Sequence, residues 1–273
     1  MFRNFLNDKI NKDLLKSLIT KEYSDFSVYV YDSIDSTNIA AKKLALNNNA
    51  PEGTLIAADM QTSGKGSNGR SFYSPSDSGL YFSVVLRPDI APEKASYITT
   101  AAAVAVCGAI EAVTGKTALI KWVNDIYVNR KKVCGILTES AFSPDGFSLV
   151  YAVLGIGVNV YPPEGGFPKE ISNIAGSLEE DRILGLKTRL LAECYNRFMG
   201  YYKNIDNAPH LGEYKKRSFL IGRRVYFIKN SFEHSGVVLD IDSDFSLVIE
   251  DDNKKIERLS SGSVSLIKRN FFD

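Results

Sequence analysis

The segment 61–75, Gln61-Thr62-Ser63-Gly64-Lys65-Gly66-Ser67-Asn68-Gly69-Arg70-Ser71-Phe72-Tyr73-Ser74-Pro75, constrains the fold of this chain more than any other. Gly64, Gly66 and Gly69 fit the spacing of a dinucleotide-binding turn. That turn works only when its last glycine opens a helix whose N-terminus meets a pyrophosphate. Here Pro75 follows, and then residues 80–86, aromatic and β-branched, read as a strand; residues 54–59 before the loop read as another. A Rossmann unit is therefore excluded. What remains is a loop of backbone N–H groups with Lys65 and Arg70, chemically suited to wrapping an anion. On this segment alone, an exposed glycine turn without a ligand stays open.

The 273 residues leave room for one large domain and a small one. With 44% hydrophobic and 24% charged residues a sizeable core is expected. A net charge of +1 supplies no global field toward nucleic acid or an anionic membrane, so neither is an expected partner. Cys107, Cys134 and Cys194 are few and widely spaced, which points to a reducing compartment. The first eight residues lack an apolar secretory core, and no stretch reads as the ~20 apolar residues that span a bilayer. A cytoplasmic protein is expected. His210 and His234 are not at metal-ligand spacing and read as surface or loop residues, which leaves a zinc enzyme or a Ser-His-Asp hydrolase poorly supported.

Leu14, Leu15 and Leu18 among lysines predict a short amphipathic helix over 11–22, and 23–31 reads as a strand. Asp35-Ser36-Thr37-Asn38 offers capping side chains for a helix over 39–46, which Asn47-Asn48-Asn49 ends. Residues 92–113, apolar nearly all round, predict a buried helix closed by Gly115. Strands follow near 119–122, 126–128, 133–137 and 147–160, then a loop over 161–176 and a helix over 181–202. From Tyr214 onward, short β runs at 225–228, 236–239, 246–249 and 264–266, separated by polar turns, predict a small barrel. The expected division is 1–213, with a helical extension over 1–24, and 214–273.

Two further segments carry unusual residues for strands. In 121–137, Lys121 lies in an apolar strand, Asn124-Asp125 sits at its end and Lys132 begins the returning strand. A lysine facing a core is costly unless it meets an anion. One such lysine would read as the solvated face of a hairpin; two, with an Asn-Asp pair and an anion-ready loop elsewhere, point to a phosphate site. In Gly155-Ile156-Gly157-Val158-Asn159, glycines inside a strand leave space for a ligand or a close backbone approach, with a β-bulge as the plainer alternative.

Taken in order, Ser36-Thr37-Asn38, Gln61 with the glycine-basic loop, Lys121-Trp122-x-Asn124-Asp125, Lys132-x-x-Gly135-Ile136-Leu137, Gly155-x-Gly157-x-Asn159 and the closing Ser261-Gly262-Ser263-Val264-Ser265-Leu266 resemble the biotin–protein ligases over residues 25–270. Each motif is weakly specific; their order is strong. The resemblance implies an α/β (α+β) fold, a class II aminoacyl-tRNA synthetase-like mixed sheet backed by helices, with a C-terminal SH3-like barrel packed beside the active site. It also implies a two-step reaction. Biotin and Mg-ATP form biotinyl-5′-adenylate, and a lysine of a carboxylase's biotin carboxyl carrier domain then takes the biotin. No enzyme nucleophile is required.

On the same resemblance, Ser36, Thr37, Asn38, Gln61, Gly64, Lys65 and Gly66 would hold biotin, with Gly135, Gly155 and Gly157 leaving room for its rings and chain. Lys132 would sit between carboxylate and α-phosphate. Lys121, Asn124 and Asn159 would serve ATP and its Mg²⁺, Ser67 and Arg70 the phosphates, and Phe72 the adenine side. Lys132, Asp125 and Arg70 are the implied catalytic residues, Asp125 orienting or deprotonating the incoming lysine; no residue is a firm metal ligand. Trp122, the one tryptophan, reads as core packing. The family's loop is commonly richer in arginine, and Ser67 and Asn68 replace two arginines here. Only 35 residues precede Ser36, so a ligase without a DNA-binding module, monomeric or homodimeric, is expected. A lipoate–protein ligase and a non-enzymatic biotin-binding regulator are the alternatives.

Overall fold

The computed structural model describes residues 7–24, 26–47, 50–261 and 264–267. The expected helix stop at Asn48-Asn49, the Gly262-Ser263 part of the C-terminal motif and the extreme N-terminus lie outside them. The elements in chain order are α1 (Lys12–Leu18), β1 (Val28–Tyr31), α2 (Thr37–Leu46), β2 (Leu55–Ala58), β3 (Gly79–Leu86), α3 (Ser96–Thr114), β4 (Leu119–Lys121), β5 (Asp125–Val128), β6 (Lys131–Phe142), β7 (Leu149–Asn159), α4 (Lys169–Ser172), α5 (Leu186–Tyr202), α6 (Leu211–Arg217), β8 (Arg224–Lys229), β9 (Phe232–Ile241), β10 (Leu247–Asp251), β11 (Ile256–Leu259) and β12 (Ser265–Leu266).

Strands β1 to β7 form one mixed sheet in the order β1-β2-β3-β7-β6-β5-β4. Only the β1–β2 pair is parallel. Its central strands are apolar on both faces because both are covered. Helices α3 and α5 pack on one face over the main core, while α2 covers the other through Ala41 and Ala45 against Ile56, Val85 and Val153. Alanines on α2 let the helix lie close to the sheet, which matters for the site at its N-terminus.

Helix α3 with its preceding turn, Pro92–Thr114, is apolar and long enough to cross a membrane, contrary to the reading that no stretch is. Its residues Ala101 to Cys107 are all buried inside the protein, which makes it a core helix. Gly115 closes it in the left-handed conformation at φ 71°.

Strands β8 to β12 form a second, antiparallel sheet in the order β11-β10-β9-β8-β12, in keeping with an SH3-like unit. Strand β11 and helix α6 escaped the sequence reading. Helix α6 carries Tyr214, fully buried, across the position where the small unit was expected to begin.

The N-terminal segment is pinned at Asp8. Its carboxylate accepts from the backbone N–H groups of Gly185 and Lys187, at the start of α5, and from the Tyr161 hydroxyl at 2.7 Å. An acid at a helix N-terminus is favoured by the exposed amide dipoles there. Lys187 in turn is buried and pairs with Asp59 at 3.1 Å, just past the end of β2.

Candidate active site

The register of the large sheet assembles motifs that lie far apart in sequence. Tyr81 pairs with Gly157, Gly157 with Gly135, Gly135 with Asp125 and Asp125 with Lys121, one straight row across five strands. Directly paired residues point to one face of a sheet, so the row presents two glycines beside a carboxylate and a lysine. Two residues along, Ser83, Gly155 and Leu137 form a parallel row. A Cβ on Gly155 would overlap the Asn38 amide oxygen, and one on Gly157 would stand 2.7 Å from the Phe72 ring. The clearance these glycines create is thus taken by Asn38 and Phe72, with a cavity beside them.

Helix α2 brings its N-terminus onto these rows. Thr37 donates from its backbone N–H (2.9 Å) and its hydroxyl (3.1 Å) to Oε1 of Gln61, whose amide donates to Ser74 Oγ. Asn38 donates through Nδ2 to Glu139 at 2.9 Å, and its Oδ1 lies 2.7 Å from the Ser83 hydroxyl. Ser36 occupies the N-cap position, but its hydroxyl makes no capping bond, contrary to expectation. It is 1% exposed, lines the cavity, and is an unpartnered buried hydroxyl. Such a group costs ~1–3 kcal/mol, a cost that a ligand with a complementary polar group removes.

The glycine-basic loop is a miniature hairpin. Gly66 and Phe72 donate to the carbonyls of Arg70 and Gly64, and Lys65 bridges to Ser71. At the tip Asn68 (φ 56°) and Gly69 (φ 71°) both take positive φ, as a type I′ turn requires and an Asn-Gly pair favours. Asn68 therefore has a turn-forming role. Lys65 reaches across the cavity to Glu139, 3.6 Å away.

A smaller and a larger cavity meet here. The smaller, about 50 Å³, is lined by Ser36, Thr37, Asn38, Gln61, Lys65, Gly66, Phe72, Gly135, Gly155 and Gly157. The larger, about 530 Å³, is lined by Arg70, Lys121, Trp122 and, from the second sheet, Ile228 and Asn230. Ser67, Asn124, Asp125 and Lys132 line both. At this junction Lys132 Nζ lies 2.5 Å from Asp125 Oδ1. Asn124 is held in place by donating to the Ile136 carbonyl at 2.6 Å.

Of the residues singled out from sequence, Gly64 and Asn159 line neither cavity. Gly64 packs under Phe72 and Ser74, and the Asn159 amide donates to the Gly176 carbonyl. Phe72 faces the smaller cavity rather than the larger. Glu139 and Ser83 were missed: Ser83 is the one polar residue of an otherwise apolar strand, a signal that was present, while Glu139 lies between Thr138 and Ser140 in a strand of mixed character. His210 is a correction: it is fully buried, and burial holds its imidazole pKa down to about 4. The three cysteines are free and buried, and burial raises each thiol pKa, that of Cys107 to about 12. None offers a thiolate nucleophile.

A mixed sheet of this order with a small antiparallel sheet beside the cleft is the fold of the biotin protein ligases. The enzyme of that name from Aquifex aeolicus, in complex with biotin and ATP, superposes with a TM-score of 0.69 over 89% of this chain and 99% of its own, at 24% identity. Residues 30–159 match the biotin/lipoate A/B protein ligase family. The bifunctional ligase/repressor BirA of Bacillus subtilis (strain 168) is 34% identical over 264 residues, 94% of this chain and 79% of that protein. A biotin--[acetyl-CoA-carboxylase] ligase of Paracoccus denitrificans is 29% identical over 228 residues, 79% of this chain and 90% of its own. The chain belongs to the biotin/lipoate A/B protein ligase family.

Proposed function

We propose that this protein is an ATP-dependent biotin–protein ligase that forms biotinyl-5′-adenylate and passes biotin to a lysine of a biotin carboxyl carrier domain. The observation that carries the reading is the placement of Lys132, the cation lining the junction of the two cavities. Joining a carboxylate to an α-phosphate brings two anions together, and a preorganised cation there lowers the barrier. The smaller cavity has the donors and acceptors that an acid with a polar ring needs: the Ser36 hydroxyl, the Thr37–Gln61 pair and the Asn38 amide. The larger suits the nucleotide, with Arg70, Lys121 and Asn124 on its wall. At about 50 Å³ the smaller cavity is well below the ~300 Å³ and more of typical ligand sites.

Among the described residues no group of three or more His, Cys, Asp or Glu side chains could cage a metal. The donor set beside the nucleotide cavity, Asn124 and Asp125, suits a Mg²⁺ bound chiefly by ATP phosphates and water. With Asp125 on Lys132, the carboxylate serves first to orient that ammonium, and the acceptor lysine approaches the same oxygens in the second step. Free cysteines fit a cytoplasmic setting.

Biotin-dependent exchange of pyrophosphate into ATP tests the first step, and transfer of label to a carrier domain tests the second. Both are expected. Exchange with lipoate instead would identify a lipoate ligase, and biotin binding without exchange would identify a regulator.

A further inference from the structure

The turn that carries Asn124 and Asp125 is held from behind by the small C-terminal sheet. Between β9 and β10 the chain turns at Asp242–Ser246, with the Phe245 N–H donating to the Asp242 carbonyl. Phe245 stands at φ 64°, an uncommon conformation for a bulky residue. Its side chain is 2% exposed and enters a ring cluster on the catalytic unit: it stacks on His210 (4.8 Å between centroids) and meets Tyr97 (5.0 Å) and Tyr214 (5.3 Å) edge-on. Its carbonyl accepts the indole N–H of Trp122 at 2.7 Å, and the Tyr214 hydroxyl donates to the Val123 carbonyl at 2.9 Å. Both residues so grasped, Trp122 and Val123, lie between Lys121 and Asn124. On the front, the turn is tied to β6 by the reciprocal Asn124 and Ile136 backbone and side-chain bonds.

We propose that Phe245 is a positioning residue for the nucleotide half of the site: it holds the Trp122–Asp125 turn, and with it Lys121 and Asn124, at the height the phosphates require. Phe245 itself lines neither of the two cavities and acts through Trp122, which does line the larger one. The proposal rests on the ligase reading for its kinetic consequence and not for its structural one. A buried plug on a strained turn is rigid, and a hydrogen bond to a fixed carbonyl loses little entropy in orienting the indole.

The test exploits the fact that Trp122 is the only tryptophan. In the substrate-free protein, Phe245→Leu is expected to shift Trp122 emission to the red and increase its quenching by acrylamide. In pyrophosphate exchange, the same variant should raise the KM for ATP roughly three- to tenfold, the range of one lost neutral hydrogen bond, with the KM for biotin within twofold. Trp122→Phe, which keeps an aromatic ring but removes the indole N–H with the pyrrole part of the bicycle, should raise the KM for ATP alike, and it serves if Phe245→Leu does not fold. An unchanged KM for ATP in Trp122→Phe, or equal rises for biotin and ATP, overturns the proposal. So does unaltered Trp122 emission in a folded Phe245→Leu. Wild-type protein without biotin-dependent exchange would refute the ligase reading instead, and the emission measurement would still decide whether Phe245 holds the turn.

Discussion

The Lys132 ammonium is 2.5 Å from Oδ1 of Asp125, with their side chains 30% and 18% exposed. The two are thus a charge-assisted pair at the mouth shared by both cavities, and each sets the other's position. Lys132→Ala is expected to lower biotin-dependent pyrophosphate exchange by ~10²–10³, the usual effect of losing one preorganised charge-stabilising group. Exchange within a few-fold of wild type would remove Lys132 from the chemistry.

Asp125→Asn leaves Lys132 without its counter-ion, so both steps should slow. One charge-assisted bond contributes ~1.5–3 kcal/mol, roughly a factor of ten to a hundred. Exchange and carrier biotinylation are to be measured side by side. A loss confined to transfer would mean that Asp125 acts on the acceptor lysine alone.

Ser67 lines both cavities at the base of the Asn68-Gly69 turn. An arginine there would add a charge-assisted bond to the adenylate, and Ser67→Arg is expected to slow its release roughly tenfold. A stopped-flow chase gives the rate. An unchanged rate would show that the preformed hairpin already retains the intermediate.

Glu139 accepts from Asn38 and faces Lys65, so it orients an amide over Gly155 and fastens the glycine hairpin. Glu139→Leu removes both functions and leaves the Asn38 amide unpaired; the KM for biotin should rise about tenfold. Glu139→Gln, which keeps an acceptor, should lose less, because a partly exposed ion pair contributes only ~1 kcal/mol or below. Equal KM values in the two variants would contradict this division.

His210 is buried between Thr100, whose hydroxyl is 2.9 Å from Nε2, and the rings of Phe245 and Tyr201. Desolvation lowers its pKa from the ordinary 6.5 to about 4. The unfolded chain therefore binds a proton that the folded one refuses between these values. Its contribution is complete above pH 6.5 and is lost as pH falls to about 4, on the order of 3 kcal/mol in all. Urea midpoints at pH 7.5, 5.5 and 4.5 should fall in that order, and His210→Gln should flatten the trend. The same slope in the variant would place the acid sensitivity elsewhere.

Much of this protein was legible in its residues. Apolar periodicity marked α3, α5 and the central strands, because those patterns are set by local geometry and by which face is buried. The failed dinucleotide turn at Pro75 excluded a Rossmann unit without any structure, and the order of motifs indicated the family. Helix α6 and β11 were missed, being short, polar-faced elements whose stability comes from packing. Their buried sides, Tyr214 of α6 and Leu259 of β11, become apparent only once α6 lies on α3 and β4 and β11 lies beside β10. His210 read as a surface residue because a single polar letter says nothing of what stacks on it.

Sequence determined which chemical groups the site contains: two lysines, a carboxylate, amides, glycines and a basic hairpin. It could not bring them together. Strand register placed Gly157, Gly135, Asp125 and Lys121 in one row. The alanine face of α2 lowered Asn38 onto Gly155, and Phe245 fastened the turn from another sheet. Apart from the Asp125–Lys121 pair, these contacts join residues ten to more than a hundred positions apart. Their energies depend on distance in space, which the packed tertiary structure alone sets.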